Sequence, residues 1–356
     1  MTQSDKKLIL VIGATGAQGI PVVSSLLAPS KDGSPSPYAV RALTRDPTHE
    51  RALQLKAAGA ELFKGSFENI DDMIAAYQGC YGVFVNTDTF AIGQKREIYA
   101  AIQLYEYAHR EPAMRHFVWS GLDYSSKLGG YDLKYKTEHL DAKGIFSDFL
   151  RSQKSESVVN GEGLPWSIVT TGPYIENLQS PNNQVLLGPR PERDENGALV
   201  FDIPLGDGHA PIIALRDIGW WVRYTFDHRA ETSGKELKVA TEMLTGEGFV
   251  ETFTSVTGIP AVYKRLGVDE YFQGNPLEGA DVPIASEGDG ESKVTIKDTF
   301  SGMYWTWRDD LITRDMEWIR RTYPEGYTLE SWIRETGYDG TMVSGGLKNS
   351  RELSKK

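Results

Sequence analysis

Cysteine is almost absent from this sequence, because Cys80 is the only one among its 356 residues. A single cysteine excludes any disulfide within the chain and any cysteine-based metal cluster built by one copy of it. A chain without disulfides fits a reducing compartment. We therefore expect a cytoplasmic protein, and a nuclear location is compatible with the same chemistry.

Long apolar runs, basic charge and metal-binding patterns are also scarce. No run reaches the roughly 20 residues that a membrane-spanning helix needs, so we expect no membrane partner. Lysine and arginine number 38 against 49 acidic residues, and the net charge of −11 argues against direct binding of nucleic acid. The six histidines show no ligand spacing such as H-E-x-x-H, and no serine occupies a G-x-S-x-G turn. We therefore predict no metal site.

What the sequence does contain is a glycine-rich turn close to its start. The apolar run 8–12 leads into Gly13, Gly16 and Gly19, and a helical pattern of apolar residues follows. In a strand, turn and helix, Gly13 allows the sharp turn, Gly16 leaves room for phosphates and Gly19 lets the helix pack closely. The helix start offers N–H groups to an anion. An ordinary strand-to-helix turn is the alternative. The predicted phosphate-binding residues are Gly13, Thr15, Gly16, Ala17, Gln18 and Gly19.

The end of the second predicted strand bears on the choice of cofactor. Residues 38–44 form that strand, and Arg45 follows it. An acidic side chain here would accept hydrogen bonds from the ribose hydroxyls of NAD, whereas a guanidinium pairs with the extra phosphate of NADP. We therefore predict NADP(H), with Thr44 and Arg51 assisting Arg45. Asp46 is the feature that would favour NAD, and a solvated surface arginine is the alternative for Arg45.

Strand and helix patterns alternate through the first half of the chain. Helices are predicted at 48–58, 70–77, 95–109 and 135–151, and strands at 61–64, 82–85, 116–120 and 166–169. This alternation predicts an α/β fold with a Rossmann-type, doubly wound parallel sheet. Ligands bind such sheets beyond the carboxyl ends of the strands. Besides the glycine turn, the candidates at those ends are Thr44, Arg45, Gly65, Ser66, Phe67, Asn86, Thr87 and Ser120.

The pattern becomes irregular after about residue 174. We predict that residues 1–173 form the NADP-binding Rossmann domain, that residues 174–343 form a smaller α+β domain for a substrate or partner, and that residues 344–356 form a mobile tail. Six of the eight tryptophans lie in the second part. Core packing accounts for most of them, and an aromatic cleft for a flat, quinone-like substrate is the alternative. Near the end, Thr328 caps a predicted helix that stops at Gly337.

Several segments together resemble the NmrA-like family of atypical short-chain dehydrogenase/reductases. They are G-A-T-G-A-Q-G at 13–19, L-T-R-D-P at 43–47, W-S-G-L at 119–122, H-L-D-A-K-G at 139–144, G-P-Y-I-E-N-L at 172–178 and R-D-I-G at 216–219. The likeness extends to about Gly337. It implies a Rossmann domain with a small carboxyl-terminal domain, bound NADP(H) and a substrate cleft. From the segment 172–178 we expect Tyr174, Glu176 and Asn177 at the cofactor.

One predicted helix carries the candidate chemistry. Orthodox short-chain dehydrogenases use Tyr-x-x-x-Lys, and here His139 stands at the tyrosine position while Lys143 is retained on the same helix face. Three interpretations are open. Lys143 binds the nicotinamide ribose and acts as the acid/base, with His139 as an alternative proton donor; or Lys143 is only a ribose ligand; or His139 packs at the surface and Lys143 is solvated. Tyr135 offers a phenol one predicted helical turn earlier, and Ser120 would orient the substrate.

These features predict an NADPH-dependent oxidoreductase that transfers hydride to a carbonyl, an enone or a quinone-like small molecule. The alternative is a non-catalytic NADP(H)-binding redox sensor that regulates transcription through a protein partner, because the family that the chain resembles includes both kinds of protein. An enzyme consumes one cofactor form when it is given its substrate, whereas a sensor binds its partner differently in the two cofactor states.

Overall fold

A computed structural model describes residues 6–155, 163–179, 187–190, 193–274, 283 and 294–341. Within these residues the strands are β1 (Lys7–Ile12), β2 (Tyr38–Thr44), β3 (Glu61–Lys64), β4 (Gly82–Val85), β5 (His116–Gly121), β6 (Trp166–Thr170), β7 (Leu199–Phe201), β8 (Ala210–Ile212), β9 (Lys235–Lys238), β10 (Glu242–Leu244) and β11 (Ala261–Tyr263). The predicted tail at 344–356 lies outside the described residues.

Helices alternate with these strands. They are α1 (Gly19–Leu27), α2 (Glu50–Ala57), α3 (Ile70–Tyr77), α4 (Thr89–Ile92), α5 (Gln94–Arg110), α6 (Ser125–Leu128), α7 (Glu138–Ser152), α8 (Leu215–Asp227), α9 (Arg229–Thr232), α10 (Gly246–Thr257), α11 (Val268–Gly274), α12 (Ile296–Arg308), α13 (Met316–Thr322) and α14 (Leu329–Thr336), with 3-10 helices at Leu133–Tyr135 and Ile175–Gln179. Among the helices described, none combines the length and the apolar character that crossing a membrane requires.

Within the described ranges, the main sheet has seven strands in the order β3-β2-β1-β4-β5-β6-β9. The pairs from β3 through β6 are parallel, and the central residue Val11 pairs with Ala42 on one side and Phe84 on the other. This confirms the predicted α/β fold with a parallel sheet. Strand order reverses between β1 and β4, so the carboxyl ends of those two strands are where an open sheet of this kind binds a ligand.

The central strands are buried along most of their length. Residues 9–12 of β1 and all of β4 and β5 are buried, which explains why they appear in the sequence as continuous apolar runs rather than alternating ones. Aromatic rings fill the space beside β5. Trp119 meets Phe146 edge-on at 4.5 Å between centroids, and Tyr105 meets Phe117 at 5.3 Å. This packing fixes the strand end that carries Ser120.

The chain forms two compact units. The first consists of residues 1–122, 142–170 and 218–237, and the second of residues 123–141, 171–217 and 238–356. A single boundary after residue 173 does not describe this division. The main sheet takes its last strand, β9, from far beyond residue 173, and the segment 123–141 belongs to the second unit although it precedes that residue.

In the part of the second unit that the structure describes, there are two small sheets and several short helices. β8 pairs with β10 in antiparallel fashion, and β7 pairs with β11 in parallel. Trp307 and Trp332 are almost fully buried here, so these two tryptophans pack in the core. The predicted helix end is also confirmed, because Thr328 caps α14 and Gly337 closes it with a φ of +65°.

Candidate functional site

The glycine turn between β1 and α1 brings backbone segments closer together than side chains would allow. Gly13 has a φ of +77°, and a Cβ built on it would lie 2.6 Å from the carbonyl oxygen of Asn86. A Cβ on Gly19 would lie 2.1 Å from the carbonyl oxygen of Gly13. Both positions therefore exclude a side chain. Gly13 lies against the chain just after β4, and Gly19 lies against the turn that precedes its own helix.

The middle of the turn leaves main chain open to a ligand. The Gly16 N–H donates to the Gly13 carbonyl at 3.0 Å, and Thr15, Gly16 and Ala17 are only partly buried. The helix start behind them carries the positive end of the α1 dipole. Bare backbone beside a helix start is the arrangement that accepts a pyrophosphate, so these residues fit a dinucleotide.

Lys143 lies in the same unit, on α7, and its side chain is buried rather than solvated. Its ammonium Nζ donates to the Thr87 carbonyl at 3.1 Å and to Asn86 Oδ1 at 3.3 Å. It also lies 4.8 Å from the centroid of the Trp119 ring, a cation–π contact. The interpretation of Lys143 as a solvated lysine is therefore wrong. Asn86 links the two parts of the site, since its main chain abuts Gly13 and its side chain holds Lys143.

A buried carboxylate completes the surroundings of Lys143. Glu97 on α5 has no exposed surface, and its Oε1 lies 3.2 Å from Lys143 Nζ. The hydroxyl of Thr87 donates to the same oxygen at 2.5 Å, and the hydroxyl of Thr89 donates to Oε2. Burying two charges is tolerable only when they are paired and their remaining donors and acceptors are satisfied, which is the case here.

Ser120 connects the end of β5 to the start of α1. Its hydroxyl donates to Gln18 Oε1 at 2.6 Å, and both residues are buried. Gln18 thereby fixes the first turn of the helix against the neighbouring strand end. The Ser120 hydroxyl thus already donates a hydrogen bond to Gln18. Its role in orienting a substrate stays a prediction.

The residues predicted to bind the extra phosphate of NADP differ in exposure and in the part of the chain that they contact. Arg45 is exposed after β2, and the hydroxyl of Thr44 donates to the Asp46 carbonyl at 3.1 Å. Arg51 instead reaches the glycine turn, where its Nη1 donates to the Thr15 carbonyl at 3.3 Å. The guanidinium that the structure brings to the glycine turn is therefore that of Arg51.

Hydrogen bonds from the main-chain N–H groups of Gly65 and Ser66 hold the segment after β3 in place. The Gly65 N–H donates to the Thr44 carbonyl at 3.0 Å, and the Ser66 N–H donates to Asp72 Oδ2 at 2.9 Å. Phe67 packs against the apolar core of the sheet. These three residues follow the strand end as predicted, and their contact with a cofactor stays a prediction.

Tyr135 and His139 belong to the second unit. Tyr135 ends a 3-10 helix, and its phenol donates to Asp309 Oδ2 at 2.7 Å. The prediction that Tyr135 lies on the helix of His139 is wrong, because that helix begins only at Glu138. Just before it, the Thr137 N–H donates to Asp141 Oδ2 at 3.1 Å. His139 lies one turn before Lys143 on α7. Its Nδ1 is 3.4 Å from the hydroxyl of Thr299, and its ring meets Phe300 edge-on.

The segment after β6 is tied to its neighbours in the second unit. Glu176 accepts the N–H of Leu215 with both carboxylate oxygens, at 3.0 and 3.2 Å, so it caps α8. Burial raises the pKa of Glu176 to about 7, and the nearby Asp217 adds to the shift. Asn177 is buried in the 3-10 helix, and Tyr174 forms a β-bridge with Ile213. Their predicted contact with the cofactor stays a prediction.

Comparison with known sequences identifies the family. The NmrA-like family matches residues 5–287. This chain belongs to the NmrA-like family. A relative from Malbranchea aurantiaca, the NmrA-like family domain-containing oxidoreductase malD, is 30% identical over 282 residues, which cover 73% of this chain and 76% of malD.

Solved structures share the fold of this NmrA-like chain at low sequence identity. NmrA, a negative transcriptional regulator, in complex with NAD is 17% identical with a TM-score of 0.67, and in complex with NADP it is 17% identical with a TM-score of 0.66; each covers 93% of this chain and 95% of the other. An NADPH-dependent quinone oxidoreductase from Escherichia coli, complexed with NADPH, is 18% identical, covers 93% of this chain and all of its own, and has a TM-score of 0.63.

The sequence pattern of this NmrA-like chain does not distinguish Glu97 from its other acidic residues. It lies in the first turn of α5, where an acidic residue is ordinarily explained by the helix dipole. Nothing in the local pattern indicates that this particular carboxylate is buried. Its partners, Thr87, Thr89 and Lys143, come from three other segments, and only the folded chain brings them together. Across the described part of the chain, no group of three or more metal-binding side chains could hold an ion.

Proposed function

We propose that this protein is an NADPH-dependent oxidoreductase that delivers hydride to a carbonyl, an enone or a quinone-like small molecule. One observation carries the proposal: the buried ammonium of Lys143 is held by Asn86, and Asn86 directly abuts the glycine turn at Gly13. A fixed cation thus lies next to the glycine turn, at the point where strand order reverses. The relatives named as oxidoreductases support the same conclusion.

The same residues favour NADP(H) over NAD as the cofactor. The open backbone from Thr15 to Ala17 would receive the pyrophosphate. Arg51 at the turn, with Arg45 at the end of β2, would pair with the phosphate on the adenosine ribose. NADPH is also the cofactor of the quinone oxidoreductase that shares this fold.

Lys143 would have two tasks in the reaction. A bound nicotinamide supplies the hydride. The Lys143 ammonium would donate a hydrogen bond to the nicotinamide ribose and stabilise the negative charge that develops on the substrate oxygen. Its buried position beside Trp119 strengthens that electrostatic effect, because little water screens it. His139 stays a predicted proton donor, one helical turn away on α7.

Consumption of NADPH by the purified protein tests the proposal. We would follow NADPH absorbance with a panel of quinones, enones and aldehydes, for the wild type and for Lys143→Gln. The expected result is turnover with at least one class of acceptor and a loss of about 100-fold in the variant. Lys56→Gln is the control, because Lys56 is an exposed lysine on α2.

A different outcome would favour a different function. If NADPH binds but no acceptor in the panel drives its oxidation, the oxidoreductase proposal fails, and the sensor that the family resemblance implies becomes the better explanation. A sensor requires that the oxidised and reduced cofactors change binding to a protein partner by different amounts.

A further inference from the structure

We propose that Glu97 is a positioning residue for Lys143: its buried carboxylate fixes the ammonium in the place from which it contacts the cofactor. The inference rests on the proposed function, since it concerns how Lys143 performs its task there. Glu97 itself acts through Lys143 and is not assigned any contact with cofactor or substrate.

The Glu97 carboxylate is rigidly held. Its first oxygen accepts from the Thr87 hydroxyl at 2.5 Å and faces Lys143 Nζ at 3.2 Å, while its second accepts from the Thr89 hydroxyl. Both threonines are themselves buried. Charge-assisted hydrogen bonds of this kind are stronger than neutral ones, so the carboxylate has little freedom to move. It can therefore serve as a fixed anchor for a long, flexible lysine side chain.

The Lys143 ammonium has three N–H groups, and four acceptor atoms from three residues already surround it. They are the main-chain carbonyl of Thr87, the Oδ1 of Asn86, the Oε1 of Glu97 and, at 3.5 Å, the hydroxyl oxygen of Thr87. The Thr87 carbonyl is main chain, the Thr87 hydroxyl is engaged with Glu97, and the Glu97 carboxylate is anchored, whereas Asn86 offers an ordinary side-chain contact at 3.3 Å. A ribose hydroxyl would therefore replace Asn86 at Lys143, and Glu97 would keep the ammonium in place during the exchange.

A double-mutant cycle on cofactor binding tests this role. We would measure the Kd of NADPH by its fluorescence for the wild type, Glu97→Gln, Lys143→Gln and the double variant. Because Glu97 acts through Lys143, Glu97→Gln is expected to raise the Kd about tenfold in the wild type and less than about twofold in the Lys143→Gln background. A purely structural role would weaken binding equally in both backgrounds.

Glu236→Gln is the matched control. Glu236 also accepts from a threonine hydroxyl, that of Thr170 at 2.6 Å, and pairs with a cation, Arg151 at 2.7 Å, in the same unit. The Kd of NADPH for Glu236→Gln is expected to stay within about twofold of the wild-type value. Circular dichroism checks folding. If Glu97→Gln does not fold, Thr89→Val takes its place, because it removes one hydrogen-bond donor from the same carboxylate. Thr89→Val is expected to raise the Kd of NADPH about threefold in the wild type, and this increase should be lost in the Lys143→Gln background.

The outcomes separate this inference from the function on which it rests. If the wild type does not bind NADPH, or if Lys143→Gln binds it equally well, both the proposed function and the inference are overturned. If binding depends on Lys143 but Glu97→Gln leaves the Kd unchanged, or raises it equally in both backgrounds, only the inference is overturned.

Discussion

The Lys143 ammonium lies 3.2 Å from the Glu97 carboxylate, and the two side chains are 8% and 0% exposed. An ion pair so far from water is costly to break, because the remaining charge keeps its desolvation penalty and loses its partner. The pair therefore has consequences for stability that can be measured without any knowledge of the substrate.

The first prediction concerns the coupling between these two residues. Lys143→Gln is expected to lower the free energy of unfolding by about 3 kcal/mol, because it leaves the Glu97 charge buried without a counter-ion. The double variant with Glu97→Gln should lose at least about 1 kcal/mol less than the sum of the two single variants. Urea unfolding measures all four proteins. Strict additivity would show that the two charges do not interact.

The second prediction concerns the glycine turn. Gly13 and Gly33 have similar positive φ angles, +77° and +81°, but only Gly13 lies against other backbone, whereas a Cβ on Gly33 meets nothing within 4 Å. Gly33→Ala is expected to cost about 1 kcal/mol from its φ alone, and Gly13→Ala about 3 kcal/mol, because contact with Asn86 is added. Equal losses in urea unfolding would rule out the contribution of close contact.

The third prediction concerns the choice between NADPH and NADH. Arg51 donates to the Thr15 carbonyl in the glycine turn, whereas Arg45 is exposed. Arg51→Gln is expected to weaken NADPH binding about tenfold and to change NADH binding by less than about twofold, because only NADPH carries the extra phosphate. Arg45→Gln serves as the comparison and should have the smaller effect. Equal losses for both cofactors would contradict a role in phosphate recognition.

The fourth prediction concerns pH and the buried Glu176. Burial raises the pKa of this carboxyl to about 7 from its ordinary 4.5. Between these pH values the folded protein holds a proton that the unfolded chain releases, so the contribution of Glu176 to stability falls as pH rises from about 4.5 to about 7 and is constant above.

Glu176→Gln removes this titration but keeps an acceptor for Leu215. The variant is expected to be more stable than the wild type by about 2 kcal/mol at pH 8, and the difference should shrink steadily as the pH is lowered to 5. Urea unfolding across that range measures it. Glu251→Gln is the control, because Glu251 is exposed on α10. A difference that does not vary with pH would contradict the assignment.

Local patterns were sufficient for most of the secondary structure of the first unit. The strands at Glu61–Lys64 and Gly82–Val85 and the helix at Ile70–Tyr77 lie where periodicity predicts them. The start of α7 was missed. A helical pattern extends back to Tyr135, but the Thr137 N–H bonds to the carboxylate of Asp141 and the helix begins only at Glu138.

By itself, the sequence determined the parallel sheet, the glycine turn and the candidacy of Lys143, because each depends on neighbouring residues or on a short, regular spacing. Only the tertiary structure decided that Lys143 is buried, that Glu97 is the buried counter-ion of Lys143 and that Arg51 reaches the glycine turn. Glu97 and Lys143 are 46 positions apart, and a contact between them arises from how β4, α5 and α7 pack. Residue type and periodicity specify which face of an element is buried, whereas the partner of a buried charge is set by the three-dimensional arrangement of separate segments.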